Sequence, residues 1–138
     1  MRWIFGHDRE ISSWVGERLD TVFPPDVVAI GLARKGKIIA GVVYHNYRPP
    51  KNIEMSIAAD SPRWGGKSTL EVFFNYPFKQ LGCSRVTAIT DAGNQHTRDF
   101  LTRLGFVQEG VLRDANPDDD AVIYGLLKTE CKWVKDNG

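Results

Sequence analysis

The stretch NIEMSIAADSPRWGGKSTLEVFFNYPFKQL, residues 52–81, contains the signals that decide the fold. Residues 52–59 alternate as in a strand, with Ile53, Met55, Ile57 and Ala59 on one face and Glu54, Ser56 and Ala58 on the other. After a loop over residues 60–66, apolar residues recur at helical spacing: Leu70, Phe73, Phe74, Pro77, Phe78 and Leu81. Pro77 must kink that helix or end its regular part, and Gly82 is suited to cap it. The stretch therefore predicts a strand, a loop and a helix.

The junction of this loop and helix has the features of an anion site. It reads Arg63, Trp64, Gly65, Gly66, Lys67 and Ser68. Glycines let the backbone approach a ligand closely, and the first N–H groups of a helix lack intrahelical partners. A pyrophosphate would suit that end of the helix. An ordinary turn gives the same pattern, since Gly is the residue that most commonly marks loops. The loop alone therefore leaves both an anion site and a simple turn open.

The flanking sequence supplies the other elements. Upstream, we expect a short strand at Ile4 and Phe5, a helix capped by Asp8 and stopped by Pro24, and a hairpin of residues 27–33 and 38–44. The apolar positions of that helix are Ile11, Trp14, Val15, Leu19 and Val22. Downstream, we expect a strand over 85–90, a helix ending at Gly105, and a hairpin of 106–113 and 121–128 across a loop over 114–120. This order predicts a mixed sheet with helices on its faces.

Composition narrows the functional classes. The 138 residues suit a single domain over 1–138, and 18 Lys+Arg against 17 Asp+Glu lack the basic excess of a nucleic-acid binder. No apolar run approaches the ~18 residues of a membrane span. Cys83 and Cys131 are far apart, and the N-terminal apolar run is too short for a signal peptide, so a reducing cytoplasm is expected. The three histidines show no metal-ligand spacing, and no metal is assigned.

Residues 66–69, GKST, resemble the tail of a nucleotide-binding P-loop, and Asp91 could then end a magnesium-binding strand. The P-loop pattern, however, needs a Gly five residues before Gly66, where Ser61 stands. Pro62, Arg63 and Trp64 would also crowd the phosphate cradle. A nucleotide-binding protein is thus an alternative that rests on a broken motif.

A second resemblance extends over nearly the whole chain. Arg63-x-x-Gly66-x-Ser68 resembles the [Gln/Arg]-x-x-Gly-x-[Gly/Ala] loop of GNAT superfamily N-acetyltransferases, with Ser68 in place of the final small apolar residue. Residues 94–106, NQHTRDFLTRLGF, are similar to the family stretch in which Asn-x-x-[Ala/Ser] leads into Leu-Gly-Phe. Residues 109–113 and 120–130 resemble the branch that acetylates ribosomal-protein N-termini, and short acetyltransferases encoded by phages and prophages.

The resemblance implies an α/β (α+β) fold with a mixed, mostly antiparallel central sheet of six to seven strands and helices on both faces. Two parallel strands, here 52–59 and 85–90, would splay apart around the pantetheine arm of acetyl-CoA. The implied acetyl-CoA contacts are the backbone of Ile57, Ala58 and Ala59, the loop residues Arg63, Trp64, Gly65, Gly66, Lys67 and Ser68, and the side chain of Asn94.

The implied reaction is direct attack of a primary amine, on a small molecule or a protein N-terminus, on the thioester. Glu54 lies on the polar face just before the acetyl site and is the candidate base, although an exposed or salt-bridged Glu fits as well. Leu101 stands where many family members have a Tyr that acts as the acid. Thr97, which could hydrogen-bond the departing sulfur, and Tyr124 are the other candidates; a surface Thr and a buried structural Tyr are the alternatives.

Leu101 also leaves open a second class of function, a GNAT-fold module that binds an acyl-CoA without transferring it. The acidic run over residues 118–120 is expected in a solvated hairpin loop, which at the acceptor mouth would favour a cationic amine. The sequence is compatible with a monomer or a homodimer.

Overall fold

The computed structural model describes residues 1–60 and 66–134. In chain order these form β1 (Arg2–Ile4), α1 (Asp8–Leu19), β2 (Val28–Arg34), β3 (Lys37–Arg48), β4 (Asn52–Ala59), α2 (Lys67–Asn75), β5 (Arg85–Asp91), α3 (Gln95–Leu104), β6 (Val107–Asn116) and β7 (Asp119–Leu127). A π-helical turn, Tyr76–Gln80, continues α2, and a 3-10 turn, Lys128–Glu130, follows β7. The order of elements is the predicted one. Over the two described ranges, no helix is long and apolar enough to cross a membrane.

The strands form a seven-stranded sheet in the order β1-β2-β3-β4-β5-β7-β6. β4 and β5 run parallel, and all other neighbours in this sheet run antiparallel. The chain returns from β4 to β5 through α2 and its π-helical turn, as a parallel pair requires. The predicted mixed and mostly antiparallel sheet is therefore confirmed.

Helices cover both faces of this sheet. On one side, called the α1 face, Ile11 and Val15 of α1 pack against Val27, Ala29, Val43 and Ala58. On the opposite side, called the α2/α3 face, a larger core contains Phe73, Phe74, Phe78, Leu101 and Leu104. The amphipathic stripe predicted for residues 70–81 is the part of the sequence that fills this larger core.

Pro77 ends the regular part of α2, as predicted. The α-helix stops at Asn75, and the Leu81 N–H donates to the Tyr76 carbonyl at 2.9 Å across the π-helical turn. Pro77 has no N–H to continue the α-helical pattern. Gly82 then takes a φ of 73°, a left-handed conformation that suits glycine after a helix.

The prediction that Asp8 caps α1 is wrong. Asp8 is the first helical residue, and its carboxylate accepts a hydrogen bond from the Ala29 N–H at 2.9 Å, which fastens α1 to β2. The helix ends at Leu19, where Asp20 adopts a left-handed conformation, before Pro24 is reached. Val22 consequently lies outside the helix and is 95% exposed, so its assignment to the apolar stripe is also wrong.

The loop predicted over residues 114–120 is shorter than expected. β6 runs to Asn116 and β7 starts at Asp119, so the turn consists of residues 117 and 118. The Asp119 carboxylate accepts from the Gly93 N–H at 2.8 Å, and that of Asp120 from the Asp114 N–H at 2.7 Å. These two carboxylates thus stabilise turns, and the prediction of three solvated carboxylates is wrong for both of them.

Candidate active site

β4 and β5 are paired only where they begin. Their register joins Asn52 to Arg85, Ile53 to Val86, and Glu54 to Thr87. Beyond these pairs, β4 stays with β3 as far as Ala59, while β5 stays with β7 as far as Asp91. The two halves of the sheet therefore separate and leave a gap between the strands. This is the splayed parallel pair that the resemblance implied.

Backbone hydrogen bonds establish which N–H groups of β4 face the gap. The Asp60 N–H donates to the Ile39 carbonyl at 2.9 Å, in the same register as the β3–β4 pairs. Because backbone groups of an antiparallel strand alternate in direction, even-numbered residues of β4 point to β3 and odd-numbered residues point to the gap. Ile57 and Ala59, two of the residues expected to contact the cofactor, therefore present N–H groups to the gap. Ala58, the third of these residues, pairs with Gly41, so its backbone N–H points to β3 and away from the gap.

The opposite edge of the gap follows the same rule. The Lys128 N–H donates to the Ser84 carbonyl at 2.8 Å, and the Ala92 N–H donates to the Asp120 carbonyl at 2.9 Å. Even-numbered residues of β5 thus point to β7, and Ile89 and Asp91 point to the gap. Both edges offer backbone donors and acceptors to an extended ligand.

No side chain among the described residues covers the N-terminus of α2. Gly66 is its N-cap residue, with φ −63° and ψ 159°, and it makes no side-chain capping hydrogen bond. A Cβ placed on Gly66 would meet no heavy atom of the described residues within 4 Å. Lys67 and Ser68 are exposed in the first turn. The described part of this helix end therefore has the exposed N–H groups that suit an anion. The other predicted loop residues, Arg63, Trp64 and Gly65, lie outside the described residues.

The N-terminus of α3 follows β5 at the open end of the gap. Asn94 is exposed and caps this helix, because its Oδ1 accepts a hydrogen bond from the Thr97 N–H at 3.1 Å. The Asn94 N–H itself donates to the Asp91 carbonyl at 3.0 Å. Thr97 is half-buried in the first turn of α3. Asn94 and Thr97 are thus brought together on the β5 side of the gap.

Leu101 and Tyr124, the other two positions considered for the acid, lie in the core. Leu101 is 5% exposed on the α2/α3 face, and an aliphatic side chain there cannot donate a proton. Tyr124 is 3% exposed, and its hydroxyl accepts a hydrogen bond from Arg98 Nε at 3.0 Å. Arg98 also donates to the Ala92 carbonyl at 2.9 Å. Tyr124 is therefore held in the interior by α3, as the structural alternative predicted.

A polar cluster that the sequence did not reveal lies on the α1 face beside the gap. His45 of β3 lies between two side chains of β4: its Nε2 is 2.8 Å from Ser56 Oγ, and its Nδ1 is 3.6 Å from Glu54 Oε2. Asn46 Nδ2 donates to Glu54 Oε1 at 3.1 Å. The Phe23 ring packs against the imidazole with ring centroids 5.2 Å apart. The sequence signal for this cluster is the position of His45: it follows Val43 by two residues and so lies on the same, buried face of the strand.

The electrostatics of this cluster favour a neutral imidazole. Burial is the main influence on the pKa of His45 and lowers it, while the Glu54 carboxylate raises it by a smaller amount. The side chains of His45 and Glu54 are only 13% and 21% exposed, so solvent screens their interaction weakly. His45 can therefore accept a proton near neutral pH, and the resulting imidazolium would lie beside a carboxylate.

Side-chain hydrogen bonds hold the paired end of β4 and β5 together. Thr87 Oγ1 donates to Asn52 Oδ1 at 2.8 Å across the two strands, and Arg85 Nε donates to Thr87 Oγ1 at 3.2 Å. Arg85 also forms an ion pair with Glu109 at 2.8 Å. That pair lies over Gly125, where an added Cβ would be 2.5 Å from both carboxylate oxygens of Glu109. The pairing therefore ends at a defined position, next to Glu54.

The fold does not support the P-loop alternative. P-loop proteins place the phosphate loop after a strand of a parallel sheet, whereas this sheet has a single parallel pair. The carboxylate of Asp91, the candidate magnesium ligand, accepts a hydrogen bond from Asn116 Nδ2. Within residues 1–60 and 66–134, no group of three or more His, Cys, Asp or Glu side chains is arranged to hold a metal ion.

Sequence comparison gives a partial match. No protein-family model matches the chain. Over 64 residues it is 36% identical to the Bacillus subtilis (strain 168) protein described as "Putative ribosomal N-acetyltransferase YdaF". The match covers 44% of this chain and 35% of that protein, so the chain spans about a third of the curated relative that it matches.

Solved structures are similar over most of the chain. A crystal structure described as "Probable acetyltransferase" has a TM-score of 0.65 at 25% identity, covering 86% of this chain and 69% of that one. Ribosomal-protein-S5-alanine acetyltransferase from Vibrio fischeri has a TM-score of 0.65 at 18% identity, over 90% and 70%. The F149A mutant of spermidine N-acetyltransferase SpeG from Vibrio cholerae has 0.71 at 14% identity, over 94% and 96%. These last two show the fold alone. With the splayed strands and the order of motifs, these findings show that the chain has the GNAT fold and is similar to acetyltransferases.

Proposed function

We propose that this chain is an acetyl-CoA-dependent N-acetyltransferase that transfers the acetyl group directly to a primary amine. The observation that carries the proposal is the gap between β4 and β5, to which Ile57 and Ala59 present backbone N–H groups. The relative and the structural neighbours above, which are acetyltransferases by name, support acetyl transfer as the reaction class.

The residues around the gap fit acetyl-CoA. Its amide-containing pantetheine arm can pair with the backbone groups of both strand edges, and its pyrophosphate suits the open N-terminus of α2 at Gly66, Lys67 and Ser68. The Asn94 side chain contributes a polar group from the β5 side. An N–H of β4 aimed at the thioester carbonyl would stabilise the oxyanion of the transition state, a contribution of about 3 kcal/mol for one donor.

The α1 face beside the gap suits the acceptor amine. An α-amine has a pKa of about 8 and an alkyl amine a higher one, so a proton must leave before attack. Glu54 and His45 offer a carboxylate and a neutral imidazole within 3.6 Å of each other. The carboxylate would also attract a substrate that arrives as an ammonium ion.

Departure of the thiolate needs little assistance. A thiol has a pKa of about 8.5, by analogy with Cys, so coenzyme A is a tolerable leaving group without a dedicated acid. This fits the burial of Leu101 at the position of the usual Tyr. The Thr97 hydroxyl or solvent would hydrogen-bond the sulfur, and Tyr124, held by Arg98, is the less accessible alternative.

The finer proposal for the acceptor is a protein N-terminus. It is supported by the names of the Bacillus relative and of the Vibrio fischeri neighbour, both of which refer to ribosomal proteins. The second candidate function is a module that binds acyl-CoA without transfer, and the burial of Leu101 is the observation that favours it.

The test is mass spectrometry of a panel of small amines and peptides incubated with the protein and acetyl-CoA. We expect one acetyl group on a primary amine of at least one class, and a lower yield at subsaturating acetyl-CoA with a Gly66→Glu variant that binds the cofactor more weakly. Binding of acetyl-CoA without any acetylated product would favour the silent module. Failure to bind acetyl-CoA would refute both functions.

A further inference from the structure

We propose that His45 is the residue that accepts the amine proton, that Ser56 relays this proton, and that Glu54 is a positioning residue rather than the base. This inference rests on the proposed N-acetyltransferase function, and it revises the role that the sequence suggested for Glu54. It is carried by the geometry of three side chains on two adjacent strands.

The strand register aligns the three groups toward the gap. His45 and Glu54 are directly paired across β3 and β4, and Ser56 follows Glu54 by two residues on the same face. Glu54 is opposite Thr87, the last residue of β5 that pairs with β4, whereas Ser56 lies beyond the end of that pairing. The residue next to Ser56 is Ile57, whose N–H faces the gap. The Ser56 hydroxyl is therefore the member of the cluster nearest to the proposed thioester position.

Glu54 is held in a way that suits orientation. One carboxylate oxygen accepts a hydrogen bond from Asn46 at 3.1 Å, and the other is 3.6 Å from His45 Nδ1. His45 Nδ1 also lies 3.4 Å from Asn46 Nδ2. The proposed relay assigns the imidazole proton to Nδ1, toward the Glu54 carboxylate, so that Nε2 is the acceptor for the Ser56 hydroxyl at 2.8 Å. In this tautomer the lone pair of Nε2 faces Ser56.

The groups around His45 come from three segments. β4 contributes Glu54 and Ser56, β3 contributes Asn46, and the segment after α1 contributes the apolar ring of Phe23. Among the described residues, Glu54 is the charged group that acts on the imidazole. Burial, to which the Phe23 ring contributes, favours the neutral imidazole, and Glu54 compensates the charge that forms when a proton arrives.

Each proton that the attacking nitrogen loses has an acceptor. An ammonium gives a proton to Ser56 Oγ while Ser56 gives its own to His45 Nε2, which leaves a neutral amine and an imidazolium. The amine nitrogen then bonds to the carbonyl carbon, and the C–S bond breaks. The thiolate takes up the second proton that the nitrogen loses. The imidazolium finally releases its proton to solvent.

The test compares the pH dependence of kcat/KM in the wild type, His45→Gln, Glu54→Gln and a control, His7→Gln, whose side chain is exposed on the surface. We expect His45→Gln to lower kcat/KM by about 10²-fold at neutral pH and to remove the acid limb of the profile, with acetyl-CoA affinity unchanged. Glu54→Gln should cause a smaller loss and move the acid limb to lower pH, because Glu54 raises the pKa of His45. The His7 variant should match the wild type.

Two outcomes would overturn this assignment while leaving the proposed function intact. One is an active His45→Gln enzyme with the wild-type acid limb; the other is a Glu54→Gln enzyme that loses about 10²-fold at every pH. If the wild type acetylates no amine, the proposed function fails, and this inference fails with it.

Discussion

The substitution of Gly66 by Glu tests the cofactor site most directly. Gly66 has φ −63° and ψ 159°, which any L-residue adopts, and a Cβ there would meet no atom of residues 1–60 and 66–134 within 4 Å. The folded state should therefore accept Ala, Gln or Glu with a change in unfolding free energy of about 0.5 kcal/mol or less. If cofactor affinity falls by more than this, the loss can be assigned to the contact with the cofactor and not to a destabilised fold.

The expected magnitude follows from the charge placed at the start of α2. A carboxylate about 6 Å from one phosphate charge costs about 3 kcal/mol at an effective dielectric of about 20, and about 0.7 kcal/mol in bulk water. Gly66 is exposed, so the cost should lie between these limits. An intermediate value of about 2 kcal/mol corresponds to a roughly 30-fold increase in the Kd for acetyl-CoA.

Calorimetric titration of acetyl-CoA into Gly66→Glu, Gly66→Gln and Gly66→Ala separates charge from bulk. Gln has nearly the shape of Glu without its charge, so the difference between the two variants is the electrostatic part. That difference should shrink as salt rises, since the Debye length falls from about 10 Å at 0.1 M to about 3 Å at 1 M. Equal affinity in the Glu variant and the wild type would refute a phosphate site at this helix end.

Three further predictions concern stability. Acetyl-CoA at about 100 times its Kd should stabilise the fold by about 2.7 kcal/mol and raise the Tm, whereas ATP with magnesium should not. Leu101→Tyr should cost about 1–3 kcal/mol in urea unfolding without a gain in turnover, because position 101 is packed in the core. Since burial lowers the pKa of His45 below its ordinary 6.5, the unfolded state binds more protons, and the free energy of unfolding should fall as pH drops below 6.5. His45→Gln should flatten that part of the stability profile.

The fold could be predicted because its signals are local. The alternation over residues 52–59 and the apolar stripe over residues 70–81 each report which face of one element is buried, and both correspond to observed elements. Gly105, with φ 107°, ends α3 where the sequence placed the helix end. Such patterns need no knowledge of partner strands. The observed element boundaries differ from the predicted ones where side chains form hydrogen bonds with distant backbone groups, as Asp119 does with the Gly93 N–H.

The candidate site was predictable only in part, because its chemistry depends on pairing. Glu54 was identified from its face of β4, but its partner His45 lies nine positions away on a strand with an irregular register after His45. No local pattern specifies that these two residues are opposite each other. The distinction between Ile57 and Ala58 is equally non-local, since it depends on which neighbours of β4 receive its hydrogen bonds.

The pairing of His45 with Glu54 and the direction of the Ile57 N–H have a common cause in the β3–β4 register. The same register places His45 opposite Glu54 and turns the N–H groups of Ile57 and Ala59 away from β3 into the gap. A slip of one residue would reverse the faces of β4, since side chains and backbone groups both alternate with a period of two. Ser56 would then no longer contact the imidazole, and the N–H groups of Ile57 and Ala59 would pair with β3 instead of facing the gap. The proposed proton acceptor and the proposed thioester donors therefore exist together or not at all, which ties the acid–base chemistry to the cofactor site through the fold itself.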